Sequence, residues 1–158
     1  MKRDDLKFYS HHGPMTEPGR HQALFNGLPK EPGSLVAVVQ GLALYDVVAG
    51  EFYKVDVPKA RLAELHFRRI EQRIERLLEL DPRPLEIARP PRRVLGRCHQ
   101  FVLFMVSILR AKGVPARARC GFQPAKVRGP LGVRILEYVG QTLGSRRPAV
   151  QRSVATAA

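Results

Sequence analysis

RVLGRCHQFVLFMVSILRAKGVPARARCGF, residues 93–122, decides how this chain folds. From Cys98 to the glycine at 113 the run is apolar almost all round, the pattern of a helix buried on most sides. Gly113 suits the position just after a helix end, and Pro115 blocks continuation. Over residues 114–122 the pattern alternates. Val114, Ala116, Ala118, Cys120 and Phe122 share one side and Arg117 and Arg119 the other, which predicts a half-buried strand. The cysteine follows a Gly-Arg pair at the start of the helix. There the positive end of the helix dipole and the N–H groups of the first turn stabilise a thiolate and can hold an oxyanion.

Upstream, residues 1–33 are rich in Gly, Pro and His and read as an irregular lead-in, with room for a short helix over 19–26. Ser34 is a good N-cap for LVAVVQGLALYDVV, which reads as a buried helix. Pro58 fits the first turn of a helix over 59–80. In that helix Leu62, Leu65, Ile70, Ile74, Leu77 and Leu78 form one face, and the charges of RRIEQRIER, with His66, form a solvated one. Asp81-Pro82 ends it, and DPRPLEIARPPRR is a loop whose prolines forbid regular helix. Downstream, GVRILEYVG reads as one more strand, and SRRPAVQRSVATAA, residues 145–158, as disordered.

The chain has 158 residues, the size of a single domain with a real core. No apolar run reaches the ~18 residues of a membrane helix, and MKRDDLKFYSHHGP lacks the apolar stretch of a secretory signal. Two cysteines make no disulfide framework. The expectation is a cytoplasmic protein that binds no membrane. The formal net charge of +13 attracts nucleic acid nonspecifically, but no basic arm or basic-aromatic stripe marks a specific nucleic-acid site. Residues 127–158 carry five arginines against one glutamate and so supply four units of that charge.

Gly96, Cys98, Leu109, Arg110, Ala111, Gly113, Pro115, Ala116 and Arg117, followed by Gly121 and Phe122, form a pattern that resembles the core of the transglutaminase-like superfamily, and in particular its small bacterial domain proteins. The resemblance covers residues 84–126 most closely and extends loosely over the preceding helices, including GPMTEPGRH. It implies an α+β fold in which a helical N-terminal region packs on a papain-like core, with the central helix starting at Cys98 and an antiparallel sheet following. It also implies a Cys-His-Asp triad that passes amide or ester acyl groups through a thioester, acting on a peptide or other amide substrate without a cofactor or metal. Cys98 matches the nucleophile, but the other two members have no match. The histidines are His11, His12, His21, His66 and His99, and no Asp follows Asp81. His99 is adjacent to Cys98 on the same helix and so points elsewhere. The domain division expected is a lead-in over 1–33, the N-terminal half of the core over 34–126, and an atypical tail over 127–158.

One reading accounts for both the missing triad and the tail. If the codons from Val127 onward are read one base late, suitable third bases turn VRGPLGVRIL into Phe-Glu-Asp-His-Trp-Val-Cys-Glu-Tyr-Trp. The residues that follow can then yield Trp-Val-Leu-Val-Asp, as the family pattern requires. The lost His spans Pro130 and Leu131, and the lost Asp spans Arg147 and Pro148. A frameshift near residues 125–127 is therefore expected, leaving this chain truncated in its family core and inactive.

The alternatives are a noncatalytic interaction scaffold and a basic helical module that binds nucleic acid through phosphates. Cys120 reads as core, and His11 and His12 form only a superficial metal pair without further ligands at zinc spacing.

Overall fold

The computed structural model describes residues 3–88, 91–122, 132–140 and 149–154, with side chains over 6–88 and 91–119. The architecture mixes helices with short strands. Its centre is α5, Cys98–Ala111, whose residues 100–109 are all buried. It ends as the sequence predicts. Gly113 takes φ +73°, its N–H donates to the Arg110 carbonyl, and the Val114 N–H donates to the Leu109 carbonyl. These two bonds are the Schellman closure that only a residue tolerant of left-handed backbone allows without cost.

Around α5 lie α1 (Arg3–Tyr9), α2 (Pro32–Leu42), α3 (Ala49–Tyr53) and α4 (Ile70–Leu80). The helix expected from Ser34 starts earlier and stops sooner. Pro32 opens it, with its ring-fixed φ suited to the first turn, and Glu31 holds the cap position. At Ala43 the chain turns extended and forms β1, Ala43–Tyr45, which pairs in parallel with β2, Val94–Gly96. Burial on both faces explains the switch. Ala43 and Val94 belong to the main core, while Leu44 and Leu95 pack with Ala49 on the other side, which strands buried on both faces accommodate.

The single helix expected over 59–80 is two elements. Lys59–His66 is a 3-10 helix, residues 67–69 are not helical, and α4 follows. The Ile70 N–H, which a continuous helix would give to His66, donates to the Met15 carbonyl instead at 2.9 Å. Leu62 is accordingly exposed, and the apolar stripe begins at Ile70. The charged face is also not wholly solvated, since Arg73 is fully buried.

The lead-in is anchored despite its irregular sequence. It holds a 3-10 helix at Gly19–Phe25, within the span expected for a short helix, and Phe25 enters the core. The Thr16 carbonyl accepts the buried Ser107 hydroxyl at 2.6 Å, one residue beyond the bond from Ile70 to Met15.

After α5 comes β3, Ala116–Phe122, on the expected segment. Ala116 is buried but Ala118 is exposed, so the predicted apolar side is only partly covered; the Cys120 side chain lies outside the described residues. β4, Gly132–Gly140, coincides with the expected strand and pairs antiparallel with β3. Residues 145–158 do not all stay irregular as expected. Ala149–Val154 forms β5, antiparallel to β4, with Val150 opposite Val139 and Val154 opposite Ile135. β-branched residues at these registers favour pairing over disorder.

Ser107→Ala removes the staple between α5 and the lead-in and leaves the buried Thr16 carbonyl without that donor. Urea unfolding of this variant should show a loss of about 1–2 kcal/mol.

Candidate active site

The site is built from β2 forward. Leu95, three residues before Cys98, is gripped on both its backbone groups. Its N–H donates to Glu64 Oε2 at 2.8 Å, and its carbonyl accepts Arg73 Nη2 at 2.5 Å. Arg73 Nη1 also donates to the Glu64 carbonyl, and its guanidinium lies over the Phe104 ring of α5, 5.7 Å from the centroid. Gly96 is required beside it, because a Cβ there would lie 2.9 Å from Arg73 Nη2.

Glu64 is 2% exposed. Arg61 binds its carboxylate through two bonds of 2.9 Å, and Arg76 Nε adds a third at 3.0 Å. Burial alone would raise the carboxyl pKa. The Arg61 side chain, the Leu95 amide and Arg76 outweigh that and hold it below its ordinary value. Burial in turn lowers Arg73 to about 10, against a smaller opposing pull from Glu64, so it remains a cation near neutral pH. Arg61 Nη2 extends the network to the Arg93 carbonyl at 2.6 Å.

The chain then enters α5 through Arg97. The Arg97 N–H donates to Gln100 Oε1 at 2.6 Å, and Gln100 Nε2 donates to the Leu65 carbonyl at 2.8 Å. The amide side chain thus closes the helix start and ties it to the Lys59–His66 segment. Cys98 is the first residue of the helix, partly exposed and free of any disulfide. The Gln100 and Phe101 amides donate to the Arg97 carbonyl at 2.9 and 3.2 Å, and the Cys98 amide at the helix start has no i−4 carbonyl within the helix, which makes it a donor for an anion.

Tyr45 and Arg97 stand near enough to Cys98 to interact with it electrostatically, and Asp46 pairs with Arg97. Tyr45 pairs in register with Gly96, and its ring lies 6.2 Å from that of Phe101. Burial raises its phenol pKa, and negative charge on Cys98 or Asp46 raises it further while Arg97 opposes, so the hydroxyl is a proton donor near neutral pH. Asp46 is held by Arg97 through Nε at 3.2 Å and Nη2 at 3.1 Å. The site therefore offers a thiol at a helix start, a guanidinium and a phenol. A cavity of about 460 Å³ continues from Asp46 along Ala49, Gly50, Lys54 and residues 55–57.

The remaining histidines serve elsewhere. His21 lies 3.7 Å from Glu75, His66 is exposed, and His11 and His12 sit beside Arg110 at the far end of α5, roughly 18 Å along the helix axis from Cys98. Among the described residues no three His, Cys, Asp or Glu side chains could hold a metal ion, and no helix is long and apolar enough to cross a membrane. Compared with known proteins, the chain matches no family model, no curated protein and no solved structure.

Sequence reasoning placed Cys98 at the start of its helix, as the structure does, but did not foresee the side chains that hold that start. Arg73 had a readable signal, because it falls three residues after Ile70 and four before Leu77, on the apolar stripe itself.

Glu64→Gln leaves Arg61 and Arg76 without their carboxylate and takes from Arg73 the nearby negative charge. The variant should lose about 3 kcal/mol in urea unfolding at pH 7. A carboxyl whose folded pKa is depressed stabilises above its unfolded value of about 4.3, and that contribution disappears as pH falls through the lower folded value. The stability gap between wild type and variant should therefore close in acid.

Proposed function

We propose that this chain carries the N-terminal half of a transglutaminase-like cysteine catalytic domain, with Cys98 as nucleophile. The observation that carries this reading is the placement of a free, partly exposed cysteine at the first position of a buried helix, which packs against the antiparallel strands that follow it. The chemistry is acyl transfer. The thiolate attacks the carbonyl carbon of an amide or ester, and an oxyanion forms against the Cys98 amide at the helix start. The amine or alcohol then leaves with a proton, and water or a second amine cleaves the thioester.

The triad His and Asp are not encoded in this frame, so the cycle stops short of turnover on an amide. Tyr45 and Arg97 can stabilise charge at the thiol, but neither is a base near neutral pH. We place the missing pair in the +1 frame past Lys126, and cytoplasmic peptides or amides as the ancestral substrates.

In a Cys120→Ser background, p-nitrophenyl acetate should acetylate Cys98 once, and Cys98→Ala should abolish the adduct, as read by intact-protein mass spectrometry. Turnover beyond that first acylation should be slow. Absence of a Cys98 adduct rejects the nucleophile. A gene whose +1 frame past Lys126 lacks His-Trp and a later Trp-Val-x-x-Asp rejects the frameshift but leaves the acylation result standing.

A further inference from the structure

A second cavity, of about 510 Å³, opens at the other end of α5. It is lined by Lys7, Phe8, His11, His12, Gly13 and Pro14 with Arg110. Its lining holds basic and aromatic side chains and no carboxylate. The Arg110 guanidinium spends its donors on neutral oxygens: Nε on the Ala116 carbonyl at 2.9 Å, and Nη1 on the His11 carbonyl at 3.0 Å and Thr16 Oγ1 at 3.5 Å. Among the described residues neither Arg110 nor Lys7 is paired with a carboxylate, and Arg110 Nη2 takes no part in those bonds.

The negative end of α1, which would repel an anion, is already covered. The Lys7 carbonyl accepts the Ser10 hydroxyl at 2.8 Å and His11 Nδ1 at 2.7 Å. A carbonyl only accepts, so His11 carries a proton on Nδ1. The ring nitrogens of His12 are shielded from solvent and neither meets hydrogen-bond geometry with any partner. The Thr16 backbone and Glu17 lie near enough to act on that ring, and Arg110 and His11 act on it in the opposite sense. Phe8, 72% exposed, forms a bare aromatic wall beside these groups.

We propose that this cavity binds an organic phosphate, with the phosphate held between Lys7 and Arg110 beside the two histidine rings and an apolar or aromatic body against Phe8. Lys7 and Arg110 match a phosphate dianion. The volume lies within the range of small-molecule sites, about 300–1,000 Å³, and exceeds what the phosphate alone would fill. The site does not involve Cys98 and stands whether or not the thiol is catalytic.

Phenyl phosphate and inorganic phosphate, titrated separately into the full chain, provide the test, followed by the histidine ring resonances. Phenyl phosphate should saturate with Kd on the order of 1 mM or tighter and shift His11 and His12 together. Inorganic phosphate should bind at least several-fold more weakly. Lys7→Glu should weaken both ligands about tenfold or more, whereas Phe8→Ala should weaken only phenyl phosphate. Both substitutions are at exposed positions, so each variant is checked for a native unfolding transition before binding is read. Linear, unsaturated shifts, equal effects on all five histidines, or an unchanged Kd in Lys7→Glu would overturn the proposal.

Discussion

The peptide of Leu95 is the point on which the site depends. One side chain, Glu64, takes its N–H and another, Arg73, fills its carbonyl, while the strand carrying it pairs with β1. A two-stranded parallel sheet is marginal by itself. Here a carboxylate and a guanidinium complete the hydrogen bonding that a further strand would supply. Burying those charges is costly unless each is paired, and Arg61 and Arg76 keep Glu64 ionised against its burial. The result is a rigid lead into α5 that begins three residues before Cys98.

That constraint links the outer segments to the centre. The Lys59–His66 segment supplies Glu64 and the Leu65 carbonyl that receives Gln100, and α4 supplies Arg73 and Arg76. The break between those two elements leaves the Leu65 carbonyl for Gln100, where a continuous α-helix would use it within itself. At the helix start, Gln100 fixes the turn and Arg97 reaches Asp46, so the thiol is set between a cation and the phenol of Tyr45.

The parts legible in the sequence were those with strong local signals. The apolar run after Cys98, the glycine at its end, the strand after Pro115 and the strand GVRILEYVG lie where their patterns place them. The helix expected through Tyr45 and beyond was not legible, because an apolar run reads alike as buried helix or buried strand. Ala43–Tyr45 is strand only because Val94–Gly96, distant in sequence, pairs with it. Glu64 reads as a surface charge because Leu95 and Arg76, which hold it together with Arg61, lie on other elements, and Arg73 reads so despite its place on the apolar stripe. Cys98 could be singled out because its position rests on a helix boundary, which sequence marks well. The order of β5 could not be anticipated, because its pairing with β4 is nonlocal.

The central claim is that the fold presents Cys98 as a nucleophile, and the most direct measurement is its alkylation by iodoacetamide at neutral pH in a Cys120→Ser chain. Folded and urea-unfolded protein are compared in separate reactions, each against free cysteine in the same solvent. The folded thiol is expected to react several-fold faster than free cysteine and to lose that advantage on unfolding, since the helix tip and the Arg97 cation exist there only in the native state. A folded thiol that reacts no faster than free cysteine would contradict the claim.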